Sequence, residues 1–237
     1  MEKIVIFSGA GISAESGIST FRDAGGLWDE YKIEEICTAG CLSWNREKTI
    51  EFYNKRRVQL AEVEPNYAHK AIATLKEKYP HEIAVITQNV DDLFERAGCQ
   101  DVIHLHGYMT NIRCEQCGLI KTIGYTSQRD EVCGKCNASM RPDIIFFHER
   151  APMYEIFYEK MKYCEFLVVI GTSGNVIYMD DYAKKANYSI LNNLEPSSAI
   201  NTTKYSKVIY KKASSAIDEI ASEIEIFLLK KQLIHKI

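Results

Sequence analysis

The stretch Ile4-Val5-Ile6-Phe7-Ser8-Gly9-Ala10-Gly11-Ile12-Ser13-Ala14-Glu15-Ser16-Gly17 decides the fold of this chain. Four apolar residues, Ile4 to Phe7, run straight into a glycine-paired turn, and a short helix-compatible segment follows. An apolar run of this kind is the pattern of a strand covered on both faces. Gly9 and Gly11 permit a tight turn and a close approach of backbone to ligand, and amides at a helix start can hold a pyrophosphate. By itself a G-x-G-x-x-A turn fits either a dinucleotide site or a plain strand-to-helix turn. A dehydrogenase fingerprint would go on to a second strand ending in an acid. Here Phe21-Arg22-Asp23 and Gly25-Gly26-Leu27-Trp28 come next instead. The turn reads as a nucleotide site, but not a standard hydride-transfer one.

Outward from that turn, apolar and β-branched runs place strands near 3–8, 83–87, 101–105, 166–170, 188–192 and 207–210. Helical stretches are expected over 46–62, 66–78, 91–97, 152–162, 178–186 and about 215–230. The last has Ile217, Ile220, Ala221, Ile224, Phe227 and Leu228 on one face, with Ser215 and Asp218 as a capping-box start. Strands alternating with helices predict a Rossmann-like, doubly wound parallel α/β sheet. Two stretches break the alternation: 24–65, helical without a strand, and 108–148, which carries cysteine pairs. They read as insertions that build a small domain beside a large one made of 1–23, 66–107 and 149–237.

A polar motif follows each expected strand. In order these are the glycine turn, Gln88-Asn89-Val90-Asp91, His104-Leu105-His106-Gly107, Gly171-Thr172-Ser173-Gly174, Asn193-Leu194-Glu195 and Lys212-Ala213-Ser214. In a parallel sheet all of them share the carboxyl edge, where open α/β folds bind ligands.

The 237 residues can bury a full core. Twenty-nine Lys and Arg against thirty-two Asp and Glu give a net charge of −3, and no basic stripe suggests nucleic acid. A strand begins within three residues of Met1, leaving no signal peptide, and no apolar run approaches a membrane span. A cytoplasmic, monomeric protein with no membrane or nucleic-acid partner is the expectation.

Four of the eight cysteines, Cys114, Cys117, Cys133 and Cys136, form C-x2-C-x15-C-x2-C. Two such knuckles close a tetrahedral thiolate shell around one zinc ion, and a closed four-ligand site is structural because no position is left for water. The small domain is therefore expected to be a helical and zinc-ribbon module. Its two basic residues between the knuckles, Lys121 and Arg129, are too few for a nucleic-acid ribbon. Cys37, Cys41, Cys99 and Cys164 have no partner spacing and read as small buried residues.

Imidazole suits general-base work near neutral pH. His104 and His106 point the same way on a strand, so spacing does not choose between them. Asn89 and Asp91 suit either binding of a carboxamide or capping of the helix that follows.

In content and order these motifs resemble the sirtuins, NAD-dependent protein lysine deacylases, over about residues 3–215. The resemblance implies NAD as co-substrate. Its pyrophosphate would lie on Gly9, Ala10, Gly11, Ile12, Ser13 and Ser16, and its adenosine near Gly171, Thr172, Ser173, Asn193, Leu194, Glu195 and Ala213. Gln88, Asn89, Val90 and Asp91 would hold the nicotinamide end under a loop carrying Phe21, Arg22 and Trp28. The family's catalytic histidine precedes the glycine, which implies His106 as base, with Asn89 beside it. An acyl-lysine oxygen would attack the ribose carbon and expel nicotinamide, leaving free lysine and O-acyl-ADP-ribose.

Phe52-Tyr53-Asn54-Lys55-Arg56-Arg57 resembles the signature of class III members of short, bacterial type. There a tyrosine and an arginine three apart on one helix face, here Tyr53 and Arg56, read the distal carboxylate of succinyl-lysine and related groups. Acylated-lysine proteins or peptides are then the partners. Ile145, Phe147, His148 and Glu149 fall where the family pairs a strand with the substrate backbone, and Asn175 falls in the same cleft. His148 stands where glycine is usual, and a usual proline-alanine pair after Gly174 is missing. Three rivals share the motifs: a mono-ADP-ribosyltransferase, a non-catalytic NAD or ADP-ribose sensor, and a zinc-ribbon nucleic-acid binder, which the charge disfavours.

Overall fold

A computed structural model describes residues 2–18 and 31–234. Its first half holds β1 (Ile4–Ser8), α1 (Gly11–Ala14), α2 (Ile33–Ile36), α3 (Cys41–Trp44), α4 (Arg46–Glu62), α5 (Tyr67–Lys78), β2 (Ile83–Thr87), α6 (Leu93–Arg96) and β3 (Ile103–His104). The second half holds β4 (Gly107–Cys114), β5 (Ile120–Thr122), β6 (Met140–Ile144), α7 (Tyr154–Lys162), β7 (Phe166–Ile170), α8 (Asp180–Lys185), β8 (Tyr188–Asn193), β9 (Lys207–Tyr210) and α9 (Ala213–Ile234).

β1 is buried along its whole length and pairs in parallel on both sides, Ile4 with Ile83 of β2 and with Phe166 of β7. The six parallel strands lie in the order β3-β2-β1-β7-β8-β9, so the direction of winding reverses between β1 and β7. Side chains alternate faces along each strand. Ile4, Ile6, Ile83, Val85, Phe166 and Val168 pack with α5 and with Ala216, Ile217, Ile220 and Ile224 of α9. Val5, Phe7, Ala84, Ile86, Leu167 and Val169 pack with Phe157 and Met161 of α7 and Ala183 of α8. With helices on both faces no strand needs a polar side, which explains the unbroken apolar runs. The doubly wound expectation holds.

The capping box at Ser215 and Asp218 does not form, because α9 starts earlier, at Ala213. Its first turn is capped from elsewhere in the chain. Glu15 accepts the Ser214 amide at 3.0 Å and the Ser214 hydroxyl at 2.5 Å, while Asp218 accepts from the Tyr67 hydroxyl at 2.7 Å. A carboxylate suits a helix N-terminus wherever it comes from.

Between the large-sheet elements, α2 to α4 pack against a second, antiparallel sheet in the order β5-β4-β6. Ile36, Cys37, Phe52, Tyr53, Met109, Ile144 and Phe146 share one core that also takes in Leu93 of α6. Arg57 is fully buried there, its Nε donating to the Met109 carbonyl at 2.7 Å and its Nη1 to Asn54 Oδ1 at 2.9 Å. Among the described residues no helix is long and apolar enough to cross a membrane.

Candidate active site

The loops after β1 and β7 meet at the reversal of strand order. The Gly11 amide donates to the Gly171 carbonyl at 2.8 Å and the Gly9 amide to the Ile170 carbonyl at 2.9 Å. A Cβ on Gly171 would lie 2.4 Å from the Ile12 nitrogen, and one on Gly9 would lie 2.8 Å from the Gly171 oxygen. Gly171 also sits at φ +65°, whereas Gly9 and Gly11 do not use positive φ. These two are small so that one loop can lie on the other, a different reason from the tight turn expected from sequence. The amides of Gly11, Ile12 and Ser13 all donate within this double loop.

Beneath it lies a buried polar set. Ser13 Oγ donates to Asp91 Oδ2 at 3.0 Å, accepts from Asn89 Nδ2 at 3.0 Å and sits 3.4 Å from His69 Nε2. Burial pushes the Asp91 carboxyl up, against the pull of Ser13. Asp91 Oδ1 also accepts the Leu93 amide at 3.3 Å, so capping and site roles coexist in one side chain. Asn66 caps α5 and reaches across to the Ile12 carbonyl and Ser16 Oγ, at 2.7 and 3.1 Å. Val90 is tied to β4 through its carbonyl, which accepts the Met109 amide at 2.7 Å.

The far side of the edge is held just as firmly. Asn193 brackets Thr172, accepting its amide at 3.1 Å and donating to its carbonyl at 2.8 Å, and Gln88 Nε2 donates to Thr172 Oγ1 at 3.1 Å. The Ser173 carbonyl accepts from Ser197 at 2.7 Å. Leu194, Glu195 and Asn175 are exposed on the rim, and Ala213 is buried at the start of α9.

Geometry separates the two histidines. His104 is engaged at both nitrogens, Nδ1 with the Asn89 carbonyl at 2.9 Å and Nε2 with Glu95 at 2.8 Å. Burial opposes its charge, but the Glu95 contact, with the Asn89 carbonyl and the charge of Asp91, outweighs burial and raises its pKa. His106 has Nδ1 3.1 Å from the Gln88 carbonyl and Nε2 2.9 Å from the Tyr154 hydroxyl, and burial lowers its pKa. A base must be neutral with a lone pair to offer, and His106 alone of the two meets that. Gly107 follows at φ +96°, where a Cβ would lie 2.0 Å from the Asp143 carbonyl oxygen, which explains the His-Gly pair.

Tyr53 and Arg56 share a face of α4. Tyr53 is 2 % exposed, stacks on Phe146 at 5.8 Å between ring centroids and donates to Cys37 Sγ at 3.2 Å. Burial lowers the pKa of Arg56, with the charges of Asp91 and Tyr53 acting against it. It also donates to Gln59 at 3.3 Å.

The segment 145–149 is held to the protein through alternate residues. The Ile145 amide donates to the His106 carbonyl, the Phe147 amide to Cys37, and the Phe147 carbonyl accepts from Ala39, at 2.9, 2.8 and 2.8 Å. Glu149 turns inward: it accepts from Arg141 Nη1 at 2.6 Å, Arg113 Nη2 at 3.3 Å and the Phe146 amide at 2.9 Å. Its carboxylate is therefore spent on the protein, and what the segment exposes is Phe147 and His148. His148 lies at φ +69°, the region glycine favours, which accounts for glycine being usual at this position.

The four sulfurs of Cys114, Cys117, Cys133 and Cys136 lie within 4.8 Å of one another. A tetrahedron of Zn–S bonds of about 2.3 Å has edges near 3.8 Å, and the Cys114–Cys136 and Cys117–Cys133 pairs stand at 3.4 and 3.6 Å. The Cys117 amide, 3.4 Å from Cys114 Sγ, favours the thiolate that a zinc ligand must be. The residues fit zinc.

Phe21, Arg22 and Trp28 lie outside the described residues. Sequence reasoning missed His69, Tyr154 and Arg57, all of which touch the site or its support. For His69 the available signal was a histidine on the apolar face of a helix, between Ala68 and Ile72. Tyr154 and Arg57 gave none.

Comparison with known proteins agrees with this geometry. A sequence model described as the Sir2 family matches residues 9–178. An "NAD-dependent protein deacylase" of Campylobacter jejuni subsp. jejuni is 46% identical over 230 residues, covering 96% of this chain and 98% of the relative. A crystal structure of a Sir2 homologue–NAD complex superposes with a TM-score of 0.83 at 31% identity, over 95% of this chain and 90% of the other. A structure of Sir2 bound to acetylated peptide gives 0.78 at 25% identity, over 94% and 93%. Matched over most of its length in sequence and in fold, and carrying the histidine-glycine edge and the four-cysteine module where the motifs required them, this chain belongs to the Sir2 family.

Proposed function

We propose that this chain removes acyl groups from protein lysines at the expense of NAD, and that succinyl is among the groups it takes. The observation that carries the first part is the His106 imidazole, held at both nitrogens, on the sheet edge where two glycine loops meet over a buried Asn89–Ser13–Asp91 set.

That crevice fits a dinucleotide: backbone approaches backbone without side chains between, and amide and carboxyl groups are held ready beneath. NAD, when bound, supplies a ribose carbon made electrophilic by its cationic nicotinamide leaving group. Gly9 to Ser13 with Ser16, and Gly171 to Ser173 held by Asn193, form its bed, with Leu194, Glu195 and Ala213 at the adenosine end. Asn89 and Asp91 hold the carboxamide end, and Phe21, Arg22 and Trp28 keep the loop role given by their motif. His106 accepts a hydroxyl proton at Nε2 while the Gln88 carbonyl holds Nδ1–H. With one water consumed to release the amine, the products are free lysine, nicotinamide and O-acyl-ADP-ribose. Four thiolates hold a structural zinc that takes no part in the chemistry.

The second part is supported by Arg56 and the Tyr53 hydroxyl standing three residues apart on one face of α4. Thiol sulfur is a weak acceptor, so a substrate carboxylate outcompetes Cys37 for that hydroxyl. Phe147, His148 and Asn175 flank the peptide through side chains.

The test is NAD-dependent mass loss from matched acetyl-lysine and succinyl-lysine peptides. Wild type removes succinyl, His106→Tyr removes neither, and Tyr53→Phe with Arg56→Met loses succinyl turnover about a hundredfold while retaining acetyl. Unchanged succinyl turnover in the double variant rejects the carboxylate pocket. Label passing from NAD to protein without acyl loss rejects the deacylase.

A further inference from the structure

We infer that the Tyr154 hydroxyl is a positioning group for His106: it holds the Nε2 lone pair in the free enzyme and yields it to the substrate hydroxyl. Resting on the deacylase function proposed above, this names what controls its base.

Two hydrogen bonds account for both ring nitrogens. The Gln88 carbonyl accepts only a proton, so Nδ1 carries the hydrogen at 3.1 Å and Nε2 is left as acceptor. The Tyr154 hydroxyl, at 2.9 Å, is then the donor. It is placed by backbone, since Tyr154 is the first residue of α7 and Phe157, one turn on, packs against Phe7 at 5.9 Å between ring centroids. A half-buried imidazole in this tautomer would otherwise leave its one acceptor facing a poorly solvated wall.

The Gln88 carbonyl favours the charged ring, and Tyr154 is the neighbour placed to favour the neutral one. From the segment after β2 comes the uncharged Gln88 carbonyl, while Asp91 is occupied by Ser13 and the Leu93 amide. His104 is paired with Glu95, and Asp143 lies 4.0 Å from Arg113. Behind Tyr154 stands Tyr158, with 6.2 Å between ring centroids. No charged side chain among the described residues makes a hydrogen bond or ion pair to His106. A donor to Nε2 favours the neutral ring and opposes its protonation, in the same direction as burial.

While Tyr154 occupies Nε2, no other hydroxyl can donate there. The substrate hydroxyl must take its place, so the restraint acts on the free enzyme and is gone in the complex. The acid limb of kcat/KM reports the free enzyme, and that of kcat reports the complex.

The experiment compares wild type, Tyr154→Phe and, as control on the same helix, Tyr158→Phe. Expected for Tyr154→Phe is an upward shift of about 0.5 to 1 pH unit in the kcat/KM acid limb. The kcat limb stays in place, and Tyr158→Phe moves neither. The His106 ring proton resonance, assigned with His106→Gln, titrates higher by the same amount in the free Tyr154→Phe protein. If neither the limb nor the resonance moves, Tyr154 is only packing and the inference fails. If kcat falls tenfold or more at every pH with both limbs fixed, the proton passes through Tyr154 and displacement is wrong. The resonance is read without turnover, so an inactive wild type counts against the deacylase function and not against this contact.

Discussion

A Cβ on Gly171 would stand 2.4 Å from the backbone nitrogen of Ile12, so the loops after β1 and β7 are in van der Waals contact through backbone alone. Gly171 is also at φ +65°. Alanine there has to pay twice, about 1 kcal/mol for the left-handed backbone and more for parting the loops. Gly171→Ala is expected to unfold at least 2 kcal/mol more easily by urea titration, and to lose NAD binding by calorimetry even where it remains folded. Wild-type NAD affinity in the folded variant would show that the loop contact does not shape the nucleotide site.

His69 gives the protein an acid limit. It is fully buried, and burial pushes its pKa from 6.5 down to about 4. A depressed pKa contributes stability that is present above the unfolded value and lost as pH falls through the folded one, so the window runs from about 6.5 to about 4. The size is roughly 3 kcal/mol. His104 has the opposite sign: its raised pKa gives stability that is full below 6.5 and lost as pH rises above it. Urea midpoints at a series of pH values are expected to fall less steeply below pH 6.5 in His69→Gln than in wild type. Parallel curves would mean that His69 is not the group titrating.

The parallel sheet was legible because β1, β2 and β7 are covered on both faces, and continuous burial leaves continuous apolar runs. The antiparallel sheet was not. β5 is exposed at all three residues, and β4 alternates irregularly where its register shifts between Gly107 and Ile112. Local sequence also suggested the wrong cap for α9, since Ser215 and Asp218 form a sound capping pattern while the actual cap, Glu15, comes 199 residues before Ser214. At the site, residues in turn motifs were legible because turns demand particular residues. Tyr154 and Arg57 were silent because they matter through one contact each with a distant element, His106 and Met109. His148 was visible only as a departure from pattern, and its φ of +69° supplies the reason.

In the function proposed above, the zinc module and the peptide-facing segment are joined through adjacent residues. Cys114 closes β4 just after Arg113, and Met140 opens β6 just before Arg141, in a core shared with Cys133. Both arginines hold Glu149, and Arg141 Nη2 also donates to the Ile144 carbonyl at 3.1 Å, three residues before the exposed Phe147. Stripping the metal frees the ends of β4 and β6 and with them this clamp, while the glycine loops lie on the other sheet. Elemental analysis should find one zinc per chain, lost in Cys136→Ser. Chelated protein is expected to show a peptide KM about tenfold higher or more, with NAD affinity little changed. Glu149→Gln should reproduce the KM effect with zinc retained, because removing one member of a buried ion pair leaves the other uncompensated. If NAD affinity falls in step with peptide KM on chelation, zinc supports the whole molecule and the clamp has no separate role.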